Sequence, residues 1–126
     1  MNIYVSVSIG ELWDKYTILL IKKNKIQDPI KLEYVNREIE YLNENMNKFS
    51  YENNILFLEL KNINEKLWDI EDQIRIKEIN NSFDQEFIDL ARKVYYINDD
   101  RAEIKKKINI EFNSAIHEVK DYINYK

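Results

Sequence analysis

A length of 126 residues fits one domain around one core, and the absence of cysteine, with His117 as the sole imidazole, excludes a disulfide framework and the usual ligands of zinc or iron–sulfur centres. A net charge of −4 argues against a protein that neutralises many phosphates along a nucleic acid. One glycine and one proline are little loop punctuation, so a few long helices are expected.

The first residues alternate, with Ile3, Val5 and Val7 on one side and Tyr4, Ser6 and Ser8 on the other, which is the period of a strand. No second strand is evident, so this extended segment either lies exposed or pairs with a copy of itself across a dimer axis. Ser8 followed by Glu11 is a capping box that starts a helix running to about Lys25. Ile9, Trp13, Tyr16 and Leu20 share a face while Ile18 and Ile21 oppose it, so the middle of this helix is apolar nearly all round and is expected to be the most buried. Asp14 sits at the edge of that apolar surface. An ionised, unpaired carboxylate there would cost on the order of several kcal/mol, so it needs a partner.

Asp28-Pro29 reads as a cap followed by a first turn, and Leu32, Val35, Ile39, Leu42 and Met46 continue a second helix with a polar outer face. Leu56, Leu60, Ile63, Leu67, Ile70 and Ile74 mark a third, flanked by Asn64, Trp68, Glu71, Arg75 and Glu78 and ending near Asn80-Asn81. Ser82 and Gln85 form another capping box. From there Phe83, Phe87, Leu90, Val94, Ile97, Ile104, Ile108 and Phe112 keep a helical rhythm that only Arg101 interrupts. Asn98-Asp99-Asp100 does not reset the phase, so one rod is expected with a guanidinium set into its buried seam. Asn113-Ser114 reads as a left-handed stop and a new cap, predicting a short last helix over Ala115–Tyr125. The expected fold is all-α: one domain, an antiparallel bundle of four long helices plus a short C-terminal helix, with a short extended N-terminal segment.

Lys22, Lys23 and Lys25, and the consecutive Lys105, Lys106 and Lys107, point around their helices and read as solvated faces. The longest apolar run, Tyr16 to Ile21, is too short to span a bilayer, and no leader pattern is recognised, so a cytoplasmic protein without a membrane partner is expected.

Chemistry is expected where the charges border the core. Asn98, Arg101 and Lys105 share one side of the fourth helix; Glu71, Arg75 and Glu78 edge the third; Asp14 comes from the first. If these helices are neighbours, Arg101 meets Glu71 or Asp14 in a bidentate pair. Such a cluster is either an internal ion-pair network that fixes helix packing, or a site where Arg101, Lys105 and Arg75 hold an anionic small molecule with Glu71 or Glu78 as base or hydrogen-bond acceptor. Asp72, Arg75 and Glu78 share part of the spacing of helical chorismate mutases, and Glu11 with Asp14 and Glu86 with Asp89 part of that of magnesium-dependent nucleotide pyrophosphohydrolases. The paired acidic motifs of the latter are missing. No metal or other cofactor is expected, and Ser8, Ser82 and His117 form no nucleophilic triad.

The stretches Ser8-Ile9-Gly10-Glu11-Leu12-Trp13-Asp14-Lys15, Leu67-Trp68-Asp69-Ile70-Glu71-Asp72 and Asn98-Asp99-Asp100-Arg101-Ala102 resemble an uncharacterised family of small proteins from bacteria and their viruses, catalogued as a domain of unknown function. The resemblance spans nearly the whole chain and implies a cytoplasmic bacterial or viral setting. It supplies no activity or catalytic residue. The expectation is a non-enzymatic interaction or assembly module that forms a homodimer or binds a protein partner. Its competitor is a small helical enzyme or binding protein for a phosphorylated or carboxylated metabolite.

Overall fold

The computed structural model describes residues 1–126, which form four helices and no strand: α1 (Ile9–Lys25), α2 (Pro29–Met46), α3 (Ile55–Ile79) and α4 (Gln85–Glu111). Each start has a side-chain cap. Ser8 Oγ accepts from the Glu11 amide at 3.0 Å, Asp28 from Ile30 at 2.9 Å, Asn54 from Leu56 at 2.9 Å and Asp84 from Phe87 at 3.0 Å.

The cap of α4 is therefore Asp84 and not Ser82. Asn81 adopts a left-handed φ of 52° and the Ser82 amide returns to the Lys77 carbonyl at 2.9 Å, so Ser82 belongs to the stop of α3. The rod begins at Gln85, and Phe83 lies exposed in the turn before it. It then passes through Asn98-Asp99-Asp100 without a break.

At its far end Asn113 takes φ 53°, and the Ser114 amide returns to the Asn109 carbonyl at 2.9 Å. The left-handed stop is as read from the sequence, but no fifth helix follows. The Ser114 hydroxyl that would have capped it instead accepts from the Ile9 amide at 3.0 Å and donates to the Ile116 carbonyl at 2.8 Å. Residues 115–126 form a strap that reaches back along α4, where the Tyr125 hydroxyl donates to Asp99. Residues 1–7 are exposed and form no strand.

The organising element is α1, which packs against all three other helices, while α3 and α4 pack extensively on each other. Gly10 lies beside Asn109 and Asp14 beside Arg101, so α1 and α4 run in opposite directions. Trp13 lies against Phe57 and Lys25 against Asp69, so α1 and α3 run the same way. The core gathers on α1. Trp13 is enclosed by Phe49, Phe57 and Phe112 at centroid distances of 5.8, 5.7 and 4.9 Å, with Met46, Leu60 and Ile108 fully buried around it. At about 1.5 Å per residue, α4 is roughly 15 Å longer than α1. Consequently the C-terminal half of the apolar stripe on α4 is sealed by α1, whereas Phe87, Val94 and Ile97 are only half-buried against α3.

Gly10 is where α1 comes closest to α4. A β-carbon there would lie 2.7 Å from the Lys105 carbonyl oxygen and 3.0 Å from Asn109 Oδ1, and the Gly10 amide donates to that same Oδ1 at 2.7 Å. The chain's only glycine thus serves close backbone approach, not a turn.

Candidate functional site

Beyond this close approach, the next turn of α1 presents Asp14 to α4. Its side chain is 2 % exposed, and Arg101 grips it with both arms: Nε donates to Oδ1 at 3.0 Å and Nη2 to Oδ2 at 2.5 Å. From α3, Asn64 Nδ2 donates to Asp14 Oδ1 at 2.8 Å and to Thr17 Oγ1 at 2.9 Å, while the Thr17 hydroxyl donates to the Asp14 carbonyl at 2.8 Å. One carboxylate thereby ties together three helices.

Lys105, one turn further along α4, is 10 % exposed. Its ammonium lies 2.7 Å from Glu11, 3.5 Å from Asp14 and 3.0 Å from Glu118 on the strap. Burial pulls the Lys105 pKa down, but the hydrogen bonds to Glu11 and Glu118 outweigh it and leave the pKa raised. The same contest at Arg101, with burial opposed by the Asp14 carboxylate, also ends upward. Glu118 responds in the opposite sense: the hydrogen bond from Lys105 lowers its pKa to about 2. All three groups are therefore charged at neutral pH.

Of the seven residues singled out by sequence, Asp14, Asn98, Arg101 and Lys105 come together, with Asn98 Oδ1 accepting from Arg101 Nη1 at 3.4 Å. Arg101 pairs with Asp14 and not with Glu71. Glu71 is engaged by Arg75 one turn away at 2.6 Å, in an exposed pair on the rim of a groove between α1, α3 and α4. Glu78 is exposed and stands apart from the cluster. Glu11, Thr17, Asn64 and Glu118 belong to the network although the sequence did not mark them for it. Two of them carried a legible signal: Glu11 lies three residues before Asp14 on the same helix face, and Asn64 stands on the polar flank of the third helix.

Two openings flank Arg101. The groove between α1, α3 and α4 measures about 520 Å³ and includes Trp68, Glu71, Arg75 and Asn98. The other, about 660 Å³, lies between α4 and the strap. No group of three acidic or imidazole side chains is disposed to hold a metal ion. Glu86 is drawn to Lys77 at 3.2 Å and Asp89 to Gln85 at 2.8 Å, away from Glu11 and Asp14.

Residues 3–125 match the family of unknown function DUF6165. The chain belongs to that family. The match takes in every residue of the Asp14–Arg101–Lys105 network, so this DUF6165 domain contains the whole polar centre within the family boundaries. Neither a curated protein nor a solved structure matches it. No helix is long and apolar enough to cross a membrane.

Proposed function

We propose that this DUF6165 protein is a non-enzymatic assembly module that self-associates by pairing residues Asn2–Val7 with the same segment of a second copy. The observation that carries the reading is the state of those residues. Ile3 and Val5 are 80 % and 76 % exposed, no backbone hydrogen bond engages residues 1–7, and the next residue, Ser8, is the buried cap of α1. A β-prone edge is thus held out from a firmly anchored point.

The segment is self-complementary. Paired antiparallel about Val5, two copies set Ile3 opposite Val7 and Val5 opposite Val5, with all six of these side chains on one face. Asn2–Val7 contains no charged residue in a chain that is 33 % charged, so the copies meet without repulsion, and none of the lysines or prolines that usually block edge pairing is present.

The polar centre supports the same reading from another direction. Its most buried ion pair, Arg101 with Asp14, is matched within the chain and held by Asn64 from a third helix, which is the state of a network that sets helix register. Sedimentation equilibrium across the micromolar range tests the proposal. The wild type is expected to dimerise, and Val5→Lys to remain monomeric with unchanged helical circular dichroism. A wild type that stays monomeric throughout, or a Val5→Lys variant that dimerises equally well, overturns it.

A further inference from the structure

The cleft under the strap has a chemical character of its own. Arg101, Lys105 and Lys120 line it, and just outside its lining Glu118 bridges the two ammonium groups, with Oε1 3.0 Å from Lys105 and Oε2 3.3 Å from Lys120. Tyrosine rings line it as well: Tyr95 packs edge-on to Tyr125 at 4.9 Å, and the same Lys120 lies 5.8 Å over the ring of Tyr122. Asp99, the acidic side chain in this lining, accepts from the Tyr125 hydroxyl. The opening of about 660 Å³ is the size of an ordinary small-molecule site.

The bridging carboxylate is the informative feature. Two lysines that converge on the two oxygens of one carboxylate, beside an arginine, form a seat for an oxyanion. Glu118 fills it from an otherwise solvent-exposed strap on which Val119 and Ile123 have no cover. Asp14, in contrast, reaches the cluster from α1 and is buried there. With Glu118 lifted away, Lys105 and Lys120 lose their shared acceptor beside Arg101, and the three terminal oxygens of a phosphate monoester can serve three cations where a carboxylate offers two.

We propose that this cleft binds a small organic monophosphate bearing an aromatic ring, its phosphate displacing Glu118 from Lys105 and Lys120 and its ring lying against Tyr95 and Tyr122. Glu118 is then an internal competitor that occupies the seat until the ligand arrives.

Titration calorimetry with phenyl phosphate tests this, with inorganic phosphate and phenol as controls. The expected result is binding of phenyl phosphate at least tenfold tighter to Glu118→Gln than to the wild type, and weakened at least fivefold when Lys120→Gln is added to Glu118→Gln. Inorganic phosphate is expected to bind more weakly than phenyl phosphate, and phenol not at all. Absence of phenyl phosphate binding to folded Glu118→Gln at millimolar ligand overturns the proposal, as does equal affinity in wild type and Glu118→Gln, or insensitivity to Lys120→Gln. Equal affinity for inorganic and phenyl phosphate overturns the assignment of the ring to the tyrosines. Lys120 is about half exposed, so its substitution does not put the fold at risk, and circular dichroism of each variant confirms a folded sample.

Discussion

Asp14 and Arg101 meet in a two-armed pair across 87 residues of sequence, the carboxylate almost wholly buried and the guanidinium 29 % exposed. The two sides are therefore unequal. Without Arg101, Asp14 keeps Asn64 and a more distant Lys105 but loses both strong donors, whereas without Asp14 the arginine can still turn toward water.

From that inequality, Arg101→Ala is expected to cost about 3–5 kcal/mol, as when one partner of a buried pair is removed. For a domain of this size the loss lowers the melting temperature by roughly 10–20 °C. Replacing both partners, Asp14→Leu with Arg101→Leu, is expected to restore most of it, because no uncompensated charge is left behind. Thermal denaturation of Arg101→Ala and of the double variant decides. A double variant no more stable than Arg101→Ala would show that the pair matters for more than the charge it neutralises.

Gly10→Ala sets two effects against each other. Alanine favours a helix over glycine by about 1 kcal/mol, but its β-carbon would lie 2.7 Å from a backbone carbonyl of α4, which cannot give way as a flexible side chain could. Overpacking of this kind costs typically about 1–3 kcal/mol and should win. The prediction is a net loss of stability in urea denaturation, and a stabilised variant would contradict the close approach of the two helices.

What the sequence discloses and what it hides divide along the distance over which the signal acts. Arg101 could be picked out because it occupies a position in an unbroken apolar rhythm, and Asp14 because it borders an apolar face; each carries its own evidence within two turns of helix. Glu118 and Ser114 carry none, since their partners Lys105 and Ile9 are chosen by the path of the strap. The strap itself misled. Ile116, Val119 and Ile123 imitate helical spacing, and Ser114 imitates a cap, until its hydroxyl is claimed by the start of α1. Ser82 failed as a cap in the same way, being drawn into the end of α3. Asn64 was visible on a flank, but only the packing of α3 on α1 turns it toward a buried carboxylate.

Asn109 offers a local test of the same interface. Its Oδ1 receives the Gly10 amide, one of the donors at the start of α1 that has no partner inside the helix. Asn109→Leu keeps the volume roughly constant and removes the acceptor. The expected cost is about 1–3 kcal/mol for a buried donor left unmet. Hydrogen exchange should report it at the Gly10 amide, with a larger loss of protection there than at amides in the middle of α3. Unchanged protection at Gly10 would place its amide elsewhere.

The acid side of the stability curve follows from Glu118. Its pKa is lowered from 4.5 to about 2 in the folded protein, chiefly by the hydrogen bond from Lys105. A carboxyl group depressed on folding contributes stability that is fully present above its unfolded pKa and is lost as pH falls through the folded one. The contribution of Glu118 should therefore be complete above about pH 5 and fade between pH 4.5 and about 2. Because the carboxylate is partly exposed, solvent screening keeps the effect to a few degrees of melting temperature. Glu118→Gln should melt below the wild type at pH 7, and the two curves should converge as the acid limit is approached. The raised pKa of Lys105 acts with the opposite sign, supporting the fold below 10.5 and withdrawing only in stronger alkali, so it leaves the acid comparison undisturbed. Parallel curves that keep a constant gap down to pH 2 would show that Glu118 stabilises the protein through packing of the strap and not through its charge.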